Sequence, residues 1–119
     1  MPLAMRTVGT RRTGALHLEL NDATHVFSVV EASTPTMKSH SNIFFAEVPL
    51  PDPTIRIPWT SSELRAFKLL ALRALSVANV HSDRVILFVC RAGKNRSRAL
   101  LWAVAHALGI EPDCPPPAD

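Results

Sequence analysis

The sequence has few of the residues that build disulfide frameworks or metal centres. It contains two cysteines, Cys90 and Cys114, and no Cys-x-x-Cys pair. Two cysteines cannot form a framework of several disulfides, and this usage is typical of a reducing compartment. The five histidines are scattered without the spacing of metal ligands. We therefore expect neither a bound metal nor a cofactor.

Long apolar segments are also lacking. No run of apolar residues reaches the length of a membrane-spanning helix, which needs about 18 or more. The first 14 residues are basic, but no apolar segment follows them, so they do not resemble a secretory signal. We expect a cytoplasmic protein without a membrane span.

The composition indicates one globular domain. The chain has 119 residues, of which 47% are hydrophobic and 19% are charged. Ten prolines are many for this length, and they cluster near residues 49–58 and 112–117. Since proline interrupts helices, the first cluster excludes a simple helical bundle running through the middle of the chain.

Positive charge is concentrated in one segment, although the net charge is only +3. Residues 84–98 contain five cations and no acidic residue. Such a segment attracts anions. A nucleic-acid-binding arm would instead be a longer, lysine-rich run with interleaved aromatic residues.

The order of apolar runs predicts an α/β domain over residues 15–110. We expect a flexible segment over residues 1–14, a Pro-rich tail over 111–119 and a loop over 49–59 in which Trp59 belongs to the core. Apolar runs or alternation predict four strands: Ala15–Leu20, His25–Val30, Ile43–Val48 and Val85–Val89. The last run has no polar alternation, as in a strand buried on both faces of a parallel sheet.

Two helices complete the predicted domain. Thr60 and Glu63 have the spacing of a capping box and predict a helix over residues 60–78. A second helix is predicted over residues 96–108, with Gly109 at its end. The buried strand and this second helix are joined by a short loop, which is a layout that directs backbone N–H groups at an anion.

That loop, Cys90–Ser97, carries the candidate chemistry. A cysteine facing loop amides and a helix N-terminus can have its pKa lowered from about 8.5 to roughly 3.5–7.5. Gly93 lets the backbone approach an anion closely, and Arg96 can bind two of its oxygens. Ser97 can donate a hydrogen bond to the sulfur. The residues expected to bind the anion are Arg91, Ala92, Gly93, Lys94, Asn95 and Arg96.

The string Cys-x-x-Gly-x-x-Arg-Ser, with five residues between Cys90 and Arg96, resembles the catalytic loop of the cysteine-dependent protein tyrosine phosphatases. The nearest resemblance is to the compact dual-specificity branch, whose loops commonly read Cys-x-Ala-Gly-x-x-Arg-Ser. The resemblance covers most of residues 15–109. It is consistent with a small, largely parallel sheet of about four strands with the two helices packed on it. The active site is expected at the C-terminal edge of the Cys90 strand.

The resemblance also implies a mechanism without a metal. The Cys90 thiolate attacks phosphorus to form a phosphocysteine, while Arg96 and the loop amides stabilise the transition state. Asp52 lies 38 residues before Cys90 and matches the acid that protonates the leaving group and then activates water. Asp83 is a rival acid, but it precedes the Cys90 strand and should lie at the far end of the sheet.

The sequence departs from the family in three respects. Val89 replaces a histidine that helps to order the loop and to lower the thiol pKa, so we expect a less acidic Cys90 and a weaker enzyme. The chain ends soon after residue 108, where the family usually adds helices, so we expect a minimal version of the fold or a homodimer. No tyrosine-recognition loop is present, and the resulting shallow pocket would suit dual specificity or a non-protein substrate.

The expected function is therefore hydrolysis of phosphate monoesters, with phosphotyrosine and phosphoserine or phosphothreonine in proteins as substrates and a phosphate-like anion bound in the loop. Arg91 and Lys94 resemble the basic loop residues of phosphoinositide 3-phosphatases, so inositol lipids or RNA 5′ ends remain alternatives. Val89 leaves open a weakly active pseudophosphatase that binds phosphate. A rhodanese-like sulfurtransferase ranks lower, because its loop usually has four residues between cysteine and arginine.

Overall fold

The fold is built from alternating strands and helices. The computed structural model describes residues 3–30, 40, 43–54, 56–80 and 83–117. Within these residues the elements follow in chain order as β1 (Ala4–Gly9), α1 (Thr13–Leu20), β2 (His25–Ser28), β3 (Phe44–Glu47), α2 (Ser61–Val80), β4 (Val85–Cys90) and α3 (Arg96–Leu108).

The four strands form one parallel sheet in the order β1-β4-β2-β3. Gly9 of β1 is in register with Cys90, and Ser28 of β2 is in register with Val89. The prediction of a small parallel sheet is confirmed. All six residues of β4 are buried, as the uninterrupted apolar run indicated.

The sheet separates two apolar clusters. Successive side chains of a strand point to opposite faces. Phe88 and Cys90 therefore belong to the cluster covered by α2 and α3, whereas Leu87 and Val89 belong to the cluster covered by α1. Helices on both faces are the usual way in which a parallel sheet is buried.

The prediction of a strand over Ala15–Leu20 was wrong, because this segment lies in helix α1. Its apolar–polar alternation also places Leu16 and Leu20 four residues apart, on one side of a helix. Both leucines are buried, while Leu18 is 70% exposed. Alanine, leucine and glutamate favour helices over strands, and here their propensity prevailed over the two-residue period.

The fourth strand comes from the N-terminal segment. Residues 1–14 were expected to be flexible, but Ala4–Gly9 forms β1, which pairs with β4 along its whole length. This edge strand has only two buried residues, Val8 and Gly9, so its apolar signal in the sequence is weak. Arg6 joins it to the end of α1 through ion pairs with Glu19 at 2.9 Å and Asp22 at 2.6 Å.

The predicted helices are confirmed. The backbone N–H of Thr60 donates to Glu63 Oε1 at 2.9 Å, and that of Glu63 donates to Thr60 Oγ1 at 3.1 Å, which completes the capping box. Helix α3 spans residues 96–108, and Gly109 follows it in the left-handed conformation with φ 70°. Strands β2 and β3 lie inside their predicted ranges but are shorter.

The part of the Pro-rich tail that the structure describes runs back along α3. Trp102 Nε1 lies within hydrogen-bonding distance of two carbonyl oxygens, 3.2 Å from that of Cys114 and 3.1 Å from that of Pro115. None of the helices in the described residues is long and apolar enough to cross a bilayer.

Candidate active site

The loop between β4 and α3 is held against β1 by two glycines. Gly93 has φ 72°, a conformation that favours glycine, and a Cβ there would lie 2.5 Å from the backbone nitrogen of Gly9. A Cβ on Gly9 would lie 2.4 Å from the carbonyl carbon of Ala92. The two backbone segments are therefore in direct contact, which sets the curvature of the loop.

Cys90 lies at the bottom of this loop and is 2% exposed. The Gly93 N–H donates a hydrogen bond to its Sγ at 3.1 Å, and Ser97 Oγ is hydrogen-bonded to Sγ at 3.2 Å. When the cysteine is a thiolate, the Ser97 hydroxyl is the donor in that bond.

The environment of Cys90 favours the thiolate. Burial by itself raises the pKa of the Cys90 thiol, but hydrogen bonds from the Ser97 side chain and from the backbone N–H groups of Ser97, Gly93 and Asn95 lower it. The hydrogen bonds prevail, and the pKa of Cys90 lies below its ordinary value. A lowered pKa increases the share of the thiolate, which is the reactive form of a cysteine.

Arg96 is a buried cation with part of its guanidinium unpaired. Its side chain is 8% exposed, and Nη1 donates to the carbonyl oxygens of Leu50 at 2.5 Å and Val29 at 3.4 Å. Its Nε is buried and has no hydrogen-bond partner among the described residues. A buried guanidinium is stabilised by nearby anions, and its Nε can still donate a hydrogen bond to one.

The carboxylate of Asp52 lies beside the guanidinium of Arg96. Its Oδ1 accepts a hydrogen bond from Asn95 Nδ2 at 2.6 Å and lies 3.8 Å from Arg96 Nε. The carboxylate is nevertheless 57% exposed, so it is open to solvent on one side. Residues 49–54 thus bring the expected acid to the loop that carries Cys90.

The position of Asp52 is supported by its chain neighbours. Arg96 binds the carbonyl of Leu50, and Trp59 Nε1 donates to the carbonyl of Pro51 at 2.6 Å. The ring of Trp59 in turn packs on Phe67 of α2, with ring centroids 4.9 Å apart. Trp59 therefore packs against the core as a partly buried residue, and it also holds the segment that contains Asp52 in place.

The rival acid lies elsewhere. Asp83 precedes β4, at the opposite end of the strand from Cys90, and its nearest ion-pair partner is Arg84 at 3.9 Å. A strand of six residues is roughly 20 Å long. Asp83 therefore lies far from the thiol.

Val89 occupies the position at which the family that the loop resembles usually has a histidine. It is fully buried in the apolar cluster beneath α1, and its side chain offers no hydrogen bond to the loop. The lowered pKa of Cys90 therefore comes from Ser97 and from the loop amides.

Two exposed arginines next to the loop were missed by the sequence analysis. Because β1 is in register with β4, the chain after Gly9 continues beside the chain after Cys90. The Thr10 N–H donates to the Cys90 carbonyl at 2.9 Å, and the Arg11 N–H donates to the Arg91 carbonyl at 3.0 Å. Arg11 therefore lies beside the loop, and Arg12 follows it in the chain. Only recognition of β1 as a strand could have placed them there.

Comparison with known proteins supports the fold. No protein-family model matches the sequence, and no curated protein matches it. Among solved structures, the chain is similar to the protein tyrosine phosphatase Tk-PTP, whose crystal structure is of the active form, with a TM-score of 0.57 and 14% sequence identity. The match covers 93% of this chain and 72% of Tk-PTP. The chain has a fold like that of a protein tyrosine phosphatase.

Proposed function

We propose that this protein is a phosphatase that hydrolyses phosphate monoesters through a phosphocysteine on Cys90. The observation that carries the proposal is the pairing of two features in one loop. Cys90 has a lowered thiol pKa, and the buried Nε of Arg96 has no hydrogen-bond partner among the described residues. A nucleophile beside a guanidinium N–H that is free of hydrogen bonds to the described residues suits attack on an anionic phosphorus centre.

In the first step the Cys90 thiolate forms a bond to phosphorus, and the bond from phosphorus to the ester oxygen breaks. The three other phosphoryl oxygens keep their negative charge through the transition state. Arg96 Nε and the loop N–H groups stabilise this charge, which is an electrostatic contribution.

Asp52 acts on the leaving group. Its carboxyl, in the protonated form, donates its proton to the departing ester oxygen, which leaves as an alcohol or a phenol. In the second step the Asp52 carboxylate accepts a proton from the attacking water. The bond from phosphorus to sulfur breaks, inorganic phosphate is released, and the Ser97 hydroxyl donates to the returning thiolate.

The openness of the site supports dual specificity toward phosphotyrosine and phosphoserine or phosphothreonine in proteins. Asp52 is more than half exposed, and Arg91, Ala92 and Lys94 of the loop are exposed as well. A site without deep walls does not require a long aromatic side chain to bring the phosphate to the nucleophile.

The experiment is hydrolysis of para-nitrophenyl phosphate across acidic and neutral pH, with EDTA present. We expect turnover by the wild type, no turnover by Cys90→Ser, and a loss of about 10²- to 10⁴-fold in kcat for Asp52→Ala. Cys114→Ser is the matched control and should keep full activity. Turnover that survives in Cys90→Ser would contradict the proposal, and an inactive wild type that still binds phosphate would indicate a pseudophosphatase.

A further inference from the structure

The turn between β1 and α1 adds positive charge to the candidate active site. Arg11 is held beside Arg91 by the backbone hydrogen bond from its N–H to the Arg91 carbonyl. Arg12 follows as the residue that precedes the first turn of α1. Because Gly9 packs directly on the backbone of Ala92, the position of this turn relative to the loop is set by backbone contacts.

The exposed cations of this region have no acidic partners among the described residues. Arg11, Arg12, Arg91 and Lys94 are exposed, and in the parts of the chain that the structure describes none of their side chains forms an ion pair or a hydrogen bond. The first turn of α1 contains no acidic residue and no side-chain cap.

The acidic residues of α1 and of the turn after it are engaged elsewhere. Glu19 and Asp22 both pair with Arg6, toward the opposite end of α1 from Arg12. An eight-residue helix is about 12 Å long, so these carboxylates do not neutralise the turn that precedes it. The positive charge around the loop therefore exceeds what one phosphate ester requires.

We propose that Arg11 and Arg12, together with Arg91, form a subsite for a second phosphate group that the substrate carries close to the ester that is cleaved. The inference rests on the proposed phosphatase function and specifies its substrate class as a compound with two neighbouring phosphates. Guanidinium groups suit this role because they bind phosphate oxygens through two parallel hydrogen bonds. Arg96 holds the phosphate that reacts, and the arginines of the turn hold the second one.

The test compares the binding of inorganic pyrophosphate and orthophosphate by calorimetry at one ionic strength. We expect the wild type to bind pyrophosphate more tightly. In Arg11→Gln/Arg12→Gln the ratio of the two affinities should fall by roughly 3- to 30-fold, the range that two exposed ion pairs supply. The control Arg65→Gln/Lys68→Gln removes the same charge from exposed positions on α2 and should leave the ratio unchanged.

Two outcomes of the calorimetry would overturn the subsite. One is a wild type that binds pyrophosphate no more tightly than orthophosphate. The other is an equal fall in both double variants, because the effect would then come from net charge alone. Hydrolysis of para-nitrophenyl phosphate by the wild type tests the proposed function separately, so a failure of the subsite is distinguishable from a failure of the function.

A second arm distinguishes a soluble substrate from a lipid. Phosphate release is measured from a soluble inositol bisphosphate and from the same headgroup in phosphatidylcholine vesicles. A lower kcat/KM of Arg11→Gln/Arg12→Gln on the soluble compound, with or without a loss on vesicles, supports the subsite. A loss confined to vesicles would show that the arginines contact the membrane surface and would overturn it.

Discussion

At the scale of single residues, burial and hydrogen bonding act on the Cys90 thiol in opposite directions. Burial favours the neutral thiol, and the hydrogen bonds from Ser97, Gly93 and Asn95 favour the thiolate. Three of the four hydrogen bonds come from backbone N–H groups, which substitution does not remove. The Ser97 hydroxyl is the one contribution that a single mutation can delete.

Ser97→Ala should therefore raise the pKa of Cys90. The measurement is the rate of alkylation by iodoacetamide as a function of pH, in a Cys114→Ser background so that one thiol reacts. Because thiolate is the reactive form, a higher pKa moves the midpoint of the rate profile to higher pH. The backbone N–H groups remain, so the shift should be partial, and an unchanged midpoint would contradict the role given to Ser97.

The hydrogen bond between Asn95 and Asp52 is the second single-residue contact that affects the proposed chemistry. The amide of Asn95 donates to the carboxylate at 2.6 Å and so holds it beside Arg96. Asn95 thereby acts through Asp52, as a positioning residue for the proposed acid.

Asn95→Ala should lower kcat by about tenfold, the effect of one hydrogen bond to a charged group. The loss should be larger for phenyl phosphate than for para-nitrophenyl phosphate, because the poorer leaving group depends more on protonation. In an Asp52→Ala background the same substitution should have little further effect, since both changes remove one function.

The matched control is Asn79→Ala, which alters an exposed asparagine on α2 and should leave both rates unchanged. Equal losses for the two substrates, or full additivity with Asp52→Ala, would show that Asn95 does not act through the acid.

At the scale of elements, strand β1 helps to position the residues of the candidate site, although few of its own side chains are buried. Its register with β4 brings Gly9 beside Cys90, and its continuation brings Arg11 beside Arg91. The backbone contact between Gly9 and Ala92 leaves no room for a side chain on Gly9.

Gly9→Ala should both destabilise the protein and disturb the loop. Overpacking of this kind costs typically about 1–3 kcal/mol, and here the new methyl group meets backbone atoms. We expect a lower Tm and weaker binding of orthophosphate, measured by thermal unfolding and calorimetry.

Gly14→Ala is the comparison, because no atom lies within 4 Å of a Cβ at that position in α1. It should stabilise the protein by about 0.5–1 kcal/mol, as alanine does in place of glycine within a helix, and leave phosphate binding intact. Equal Tm values for the two variants would show that Gly9 has room that the structure does not show.

The elements that the sequence predicted correctly carry strong local signals. Helix α2 begins with a capping box, α3 ends at Gly109, and β4 is an uninterrupted apolar run. The errors fall where local signals conflict or are weak. Ala15–Leu20 alternates like a strand but is composed of helix-forming residues, and β1 is an edge strand whose residues are mostly half-buried.

The same division holds for the candidate site. The residues from Cys90 to Ser97 could be identified from sequence because the strand, the glycine and the helix start are contiguous. The contacts made by Asp52, and the position of Arg11, depend on which strands are neighbours in the sheet. A single sequence does not contain that information in a local pattern.

At the scale of the whole molecule, the parallel sheet explains why the site lies where it does. The carboxyl ends of β1, β4 and β2 meet at one edge of the sheet, and each strand contributes to the site there. Arg11 follows β1, and Cys90 ends β4. The carbonyl of Val29, which follows β2, accepts a hydrogen bond from Arg96. The similarity to Tk-PTP extends over 93% of the chain, so it concerns the architecture and not one loop.

The central claim is that Cys90 becomes phosphorylated during turnover, and intact-protein mass spectrometry after acid quenching tests it most directly. Asp52→Ala, in which hydrolysis of the intermediate is slowed, should gain the mass of one phosphoryl group when mixed with para-nitrophenyl phosphate. Peptide analysis should place that group on Cys90, and Asp52→Ala/Cys90→Ser should gain nothing. Turnover without any phosphorylated cysteine, or the same gain in the double variant, would contradict the account.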